Sequence, residues 1–98
     1  MAIKKKYLKS KPVCKVTFEL DGIEADSIVA VGNFNKWDTE ATPLKKFKNG
    51  KFKATIDLEK GNSYEFRYLV DGAYINDEKA DAYLWNDYAG AENSVLTV

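Results

Sequence analysis

Hydrophobic and polar positions alternate with a period of two in several stretches of this chain. From Val13 to Leu20, Cys14, Val16, Phe18 and Leu20 are apolar while Lys15, Thr17 and Glu19 are polar, the pattern of a half-buried β-strand. Asp21-Gly22 ends it. Ser27 to Val31 is an almost continuous apolar run of strand length, which predicts either a central strand covered on both sides or one rich in small packing residues. Leu44–Lys48 and Lys51–Leu58 flank Asn49-Gly50, and Asn-Gly between two such runs predicts a hairpin with a type I′ turn. In the second run Phe52, Ala54, Ile56 and Leu58 face inward.

The longest strand signal is Ser63 to Asp71, where Tyr64, Phe66, Tyr68 and Val70 alternate with Ser63, Glu65 and Arg67, and Leu69 interrupts the polar face. Asp71-Gly72 then predicts a second hairpin into Ala73-Tyr74-Ile75. Asn76 to Gly90 has no clean period and reads as a long irregular excursion over the surface, and loops of that length are often functional. Ser94 to Val98 is a last strand. About seven short strands and no helical periodicity beyond a turn or two predict an all-β, antiparallel β-sandwich.

Composition narrows the picture. Ninety-eight residues with 45% apolar content make one domain with a single core, too small for a deep, walled active site. Lysine and arginine number 15, as do aspartate and glutamate, so no global field favours nucleic acid or an anionic membrane. Six of the positive charges, Lys4, Lys5, Lys6, Lys9, Lys11 and Lys15, lie near the N-terminus. Residues 1–12 read as a solvated basic arm and 13–98 as the domain. Those lysines are not followed by the apolar run of a secretory signal, and no segment is long enough to span a bilayer. The one cysteine, Cys14, is in phase with the apolar face of its strand and reads as a core residue. A cytoplasmic location is the expectation.

Histidine is absent, which removes histidine-based triads, acid–base catalysis and metal sites. Asp77, Glu78, Asp81 and Asp87 gather in one stretch, but a glycosidase needs two carboxylates facing each other across an enclosed sugar. They are read as a solvated acidic surface, with no catalytic residue, metal or cofactor. Binding chemistry fits better. Exposed aromatic rings beside amide and charged side chains can stack on the C–H face of a sugar and bond its hydroxyls. Trp37 with Asn33, Asn35 and Lys36, Tyr74 with Asn76, and Trp85 with Asn86 are the candidates; for each ring, core packing is the alternative.

The segments Val31-Gly32-Asn33-Phe34-Asn35-Lys36-Trp37, Pro43-Leu44, Phe52 to Leu58, Tyr64-Glu65-Phe66-Arg67-Tyr68-Leu69-Val70-Asp71-Gly72-Ala73-Tyr74 and Asn93-Ser94-Val95 come in the order seen in the family 48 carbohydrate-binding modules. The chain resembles that family from about Val13 to Val98. The family includes the glycogen-binding domain of the AMP-activated protein kinase β subunit and the N-terminal early-set domains of isoamylases, pullulanases and branching enzymes. The resemblance implies an immunoglobulin-like sandwich that binds α-1,4-glucan, such as glycogen, starch or maltooligosaccharides, without catalysis.

It further implies that Trp37 stacks on glucose, that Tyr74 supplies a second ring where the kinase-type domain has tryptophan, and that Arg67, in place of lysine, and Asn93 bond hydroxyls. Where the kinase-type domain braces the glucan with a leucine and a threonine, this chain has Tyr88-Ala89-Gly90-Ala91, which makes Tyr88 and Trp85 candidates for that role. Asn35 completes the expected set. The alternative implied is an early-set accessory or protein-interaction domain with little sugar binding, and on either reading a glucan-processing enzyme in trans is a candidate partner.

Overall fold

The computed structural model describes residues 2–88 and 90–98. Its strands are β1 (Ala2–Tyr7), β2 (Val13–Leu20), β3 (Ile28–Gly32), β4 (Lys45–Lys46), β5 (Phe52–Glu59), β6 (Ser63–Val70), β7 (Ala73–Ile75), β8 (Ala82–Asn86) and β9 (Ala91–Thr97), with a 3₁₀ turn at Asn33–Asn35 after β3. One sheet has the order β1-β2-β5-β4; the other has β3-β6-β9-β8, with β7 also pairing β6. All named pairs are antiparallel, and the chain is an antiparallel β-sandwich with nine strands among the described residues, two more than the pattern predicts.

Period two decides which residues meet between the sheets. Cys14, Val16, Phe18 and Leu20 from β2 and Phe66 and Tyr68 from β6 are fully buried, with Phe52, Leu58 and Leu96 beside them. Phe18 is central: its ring centroid lies 5.3 Å from that of Phe66 and 6.0 Å from those of Tyr68 and Phe34. Cys14 is a free, buried thiol, as its phase predicts. The Asp71-Gly72 turn has positive φ at both residues and joins Val70 to its partner Ala73, the type I′ geometry.

Several expectations change. The segment read as a basic arm supplies β1, paired with β2 from Ala2↔Glu19 to Tyr7↔Cys14; Met1 lies outside the described residues. Alternation sorts its lysines. Lys4 points outward to Glu19 (3.1 Å) and Lys5 crosses to Asp81, just before β8 of the other sheet (2.6 Å). β3 ends its sheet instead of lying at the centre, but its free side is covered where Ala30 N–H donates to Thr42 O and Leu44 N–H to Ile28 O. That accounts for burial along the whole strand. At Asn49-Gly50 positive φ occurs at Gly50 alone of the pair, and Gly50 N–H donates to Phe47 O while Phe47 N–H donates to Lys51 O. This is a three-residue loop closed by a glycine bulge, not a type I′ turn.

The excursion from Asn76 to Gly90 contains β8, which pairs with β9. Within it Asp77 is fully buried, not solvated. Its carboxylate accepts hydrogen bonds from the Tyr68 hydroxyl (2.6 Å) and the Lys79 N–H (2.7 Å), and its own N–H donates to Ser94 Oγ (3.0 Å). Burial, and then the neighbouring Asp77 charge, push the Tyr68 hydroxyl far above its ordinary pKa. Asp77→Ala leaves that hydroxyl buried without its acceptor, so a loss of about 1–3 kcal/mol in unfolding free energy is expected in urea titrations.

Glu19 lies among Lys4, Lys51 and Lys53, and the ammonium groups of Lys4 and then Lys51 hold its carboxyl below the usual range. At Asp81 burial acts to raise the carboxyl, but Lys5 and the Thr97 N–H outweigh it and the net shift is downward. A depressed folded-state pKa contributes stability above the unfolded value, near pH 4, and loses it as pH falls through the folded value. The melting temperature should hold between pH 7 and about pH 5 and fall below about pH 4. Asp81→Asn should flatten part of that fall. Among the described residues no helix is long and apolar enough to cross a membrane.

Candidate functional site

The site is built on the loop after β3. Gly32 lies in extended backbone, and a Cβ there would sit 2.5 Å from Glu65 O, 2.7 Å from Phe34 Cε2 and 2.8 Å from Phe66 Cβ. Its missing side chain lets β3 approach β6 and gives the Phe34 ring room to turn inward. That ring then reaches Phe18, and Tyr64 at 6.4 Å between centroids. Asn35 ties the loop together. Its Oδ1 accepts from Gly32 N–H (3.1 Å), and its Nδ2 donates to Ala30 O (3.0 Å) and Thr42 Oγ1 (3.1 Å).

These contacts hold Lys36 and Trp37 in the left-handed region, at φ 58° and 59°, a conformation costing non-glycine residues on the order of 1–3 kcal/mol each. Trp37 N–H closes the turn on Gly32 O at 2.8 Å. The indole is thereby directed out of the sandwich, with 38% of the residue exposed.

Trp37 meets side chains from four other places in the chain. Trp37, Arg67, Tyr74, Asn86, Tyr88 and Asn93 line one groove of ≈ 450 Å³, within the usual size of ligand sites. Strand register puts them together. Phe66 and Tyr68 point into the core, so Arg67 between them faces outward. β6 pairs Phe66 with Ser94 of β9, so Asn93, one residue before Ser94, faces the same way. Tyr74 of β7 pairs with Leu69, which explains the apolar residue on the outer face of β6.

The Arg67 guanidinium carbon lies 5.9 Å from the Tyr74 ring centroid, a cation–π contact, and its Nη2 donates to Glu92 O at 2.9 Å. Its Nε is buried and has no hydrogen-bond partner among the described residues. Asn93 is 2% exposed and donates through Nδ2 to Glu65 Oε1 at 3.3 Å. Asn76 secures the floor, accepting at Oδ1 from the Ser94 N–H (3.0 Å) and donating at Nδ2 to Glu92 O (2.8 Å).

Of the seven residues expected to contact sugar, five are therefore neighbours: Trp37, Arg67, Tyr74, Tyr88 and Asn93. The other two are not. The Asn35 amide is turned inward, with both ends engaged by the loop. Trp85 pairs with Glu92 while Leu84 pairs with Asn93, so Trp85 projects from the opposite side of β8. There it is 62% exposed and donates through Nε1 to Asp87 Oδ1 at 2.7 Å. Asn86 takes the groove position that Trp85 was expected to hold; its one signal in the sequence was its place beside that ring. Of the bracing segment Tyr88-Ala89-Gly90-Ala91, Ala89 lies outside the described residues.

Among the described residues no group of three or more histidine, cysteine, aspartate or glutamate side chains is arranged to hold a metal ion. The groove combines aromatic faces with guanidinium and amide donors, a set that can hold a flat, hydroxyl-rich ring by stacking and hydrogen bonding. A comparison with curated proteins finds no match. Residues 14–98, by contrast, match the family model described as the glycogen recognition site of AMP-activated protein kinase. That match takes in every residue lining the groove, and the chain belongs to this family.

Proposed function

We propose that the chain is a non-catalytic α-1,4-glucan-binding module and that the groove is its sugar site. The observation that carries this reading is the convergence of Trp37, Tyr74 and Tyr88 with Arg67, Asn86 and Asn93. Trp37 and Tyr74 offer ring faces for glucose units, Arg67 and Asn93 offer donors for hydroxyls, and Tyr88, fully exposed, extends the wall where the kinase-type domains carry leucine. Starch and glycogen share the α-1,4 linkage and are both candidate ligands. A glucan-processing enzyme working on the same polymer is the partner class such a module would serve. A single buried thiol, Cys14, is compatible with the reducing cytoplasm.

A few stacked rings and exposed hydrogen bonds leave a modest surplus after ordering costs, so a dissociation constant on the order of 10 μM to 1 mM is expected. Titrating maltoheptaose or β-cyclodextrin while following tryptophan fluorescence tests this directly. A saturable change in the parent chain that survives Trp85→Phe supports the reading, since that ring lies off the groove. No response to either sugar, with no heat in calorimetry, overturns it.

A further inference from the structure

Both sheets of the sandwich end on the same flank, where Lys5 of β1 meets Asp81 beside β8 at 2.6 Å. The opposite flank is closed along β3 by the Thr42–Leu44 segment. On this flank β1 and β8 are the outermost strands of their sheets, and an outermost strand presents backbone N–H and C=O groups that another strand can pair with. Large apolar side chains remain exposed along it: Tyr7 at 52%, Tyr83 at 42%, Leu84 at 53% and Trp85 at 62%. β8 reads Ala-Tyr-Leu-Trp-Asn and has none of the lysines or prolines that usually protect an edge.

The charges on the two edges are opposite. β1 carries Lys4, Lys5 and Lys6 in succession. β8 is uncharged but flanked by Asp81 and Asp87, with Glu92 across from Trp85. Asp87 is held against the indole N–H, so an exposed aromatic face lies between two carboxylates, a setting that favours an ammonium group. The strands are also similar in length, at 6 and 5 residues.

We infer that this flank is a self-association surface on which β1 of one copy pairs with β8 of a second copy and, by two-fold symmetry, β8 of the first with β1 of the second. Charge selects this arrangement. With Lys4, Lys5 and Asp81 paired within one copy, pairing like edges would set Lys6 against Lys6 and Asp87 against Asp87, and like charges directly opposite are destabilising. The crossed pairing places Lys6 against Asp87 twice, as a symmetric interface requires. It also covers the exposed rings of both copies. A dimer of this kind has two grooves and can engage two segments of one polymer; this consequence, unlike the association itself, rests on the glucan reading.

Sedimentation velocity of the full chain without sugar, from micromolar to high micromolar concentration, tests the inference. The parent chain is expected to dimerise and to weaken at high salt. Lys6→Glu and Asp87→Lys should each weaken association by roughly tenfold or more, and the two combined should restore it, with circular dichroism establishing that every variant is folded. Lys6 is chosen because Lys4 and Lys5 serve Glu19 and Asp81 within one copy. A parent chain that stays monomeric throughout overturns the proposal. So does a dimer strengthened by Asp87→Lys, the outcome for like edges, or a double variant that fails to recover.

Discussion

Replacing Trp37 with alanine should abolish retardation of the protein in glycogen or amylopectin affinity gels while leaving its thermal melt nearly in place. The indole is outside the core cluster and partly exposed, so truncating it creates no cavity between the sheets. Covering one large ring with a ligand is worth about 1.5–3 kcal/mol, which at the modest affinity expected corresponds to roughly ten- to a hundredfold in binding. That moves a dissociation constant in the middle of the expected range, about 100 μM, to about 1–10 mM, too weak for such gels to report. Alanine at φ near 60° is no more comfortable than tryptophan, so the backbone strain at this position is unchanged and stability should shift little. Full retardation by a folded Trp37→Ala variant would remove this ring from the sugar site.

Gly32→Ala should lower both stability and affinity, although the residue touches no sugar. The dihedral angles at Gly32 suit any residue; the obstacle is room. A Cβ placed 2.5 Å from a backbone oxygen and under 3 Å from two phenylalanine carbons must push β3 from β6 or displace Phe34. Overpacking of this kind typically costs about 1–3 kcal/mol, which for a domain of this size is a fall on the order of 5–20 °C in melting temperature. The same shift moves Gly32 N–H and O, the atoms that hold Asn35 and Trp37, so the indole loses its aim. The two variants should therefore separate: Trp37→Ala loses binding at nearly constant melting temperature, whereas Gly32→Ala loses both. An unchanged melt for Gly32→Ala would mean that Phe34 and the two strands relax freely, against the packing described above.

The Gly-Asn-Phe-Asn-Lys-Trp segment is thus a device with divided labour. Glycine makes space, phenylalanine anchors in the core, asparagine ties the turn and tryptophan is presented outward. The sequence marks this stretch as out of place among its neighbours, but residue types alone do not separate the anchor from the platform. Asn35 is a plain example. An asparagine beside an exposed ring has the right chemistry for sugar hydroxyls, yet its amide satisfies backbone groups that would otherwise be left unpaired in the turn.

What the sequence by itself determined is the set of elements in which one face is buried and the other is not. The inward faces of β2, β5 and β6, the Asp71-Gly72 turn and the place of Cys14 follow from period two and turn chemistry, because a shift of one residue there would expose the core. From these the sandwich and the proximity of Arg67 to Tyr74 were legible. The tertiary structure alone decided the edges. In β1 and β8 much of both faces stays in contact with water, so no apolar period is imposed and the lysines of one and the aromatics of the other resemble loop. Only the pairing of β8 with β9 settles that Asn86 faces the groove and Trp85 faces away, since neighbours on a strand point to opposite sides and register assigns them. Asp77 entered the core for the same long-range reason: its partners, Tyr68 and Ser94, lie on β6 and β9, and no local pattern around residue 77 announces them.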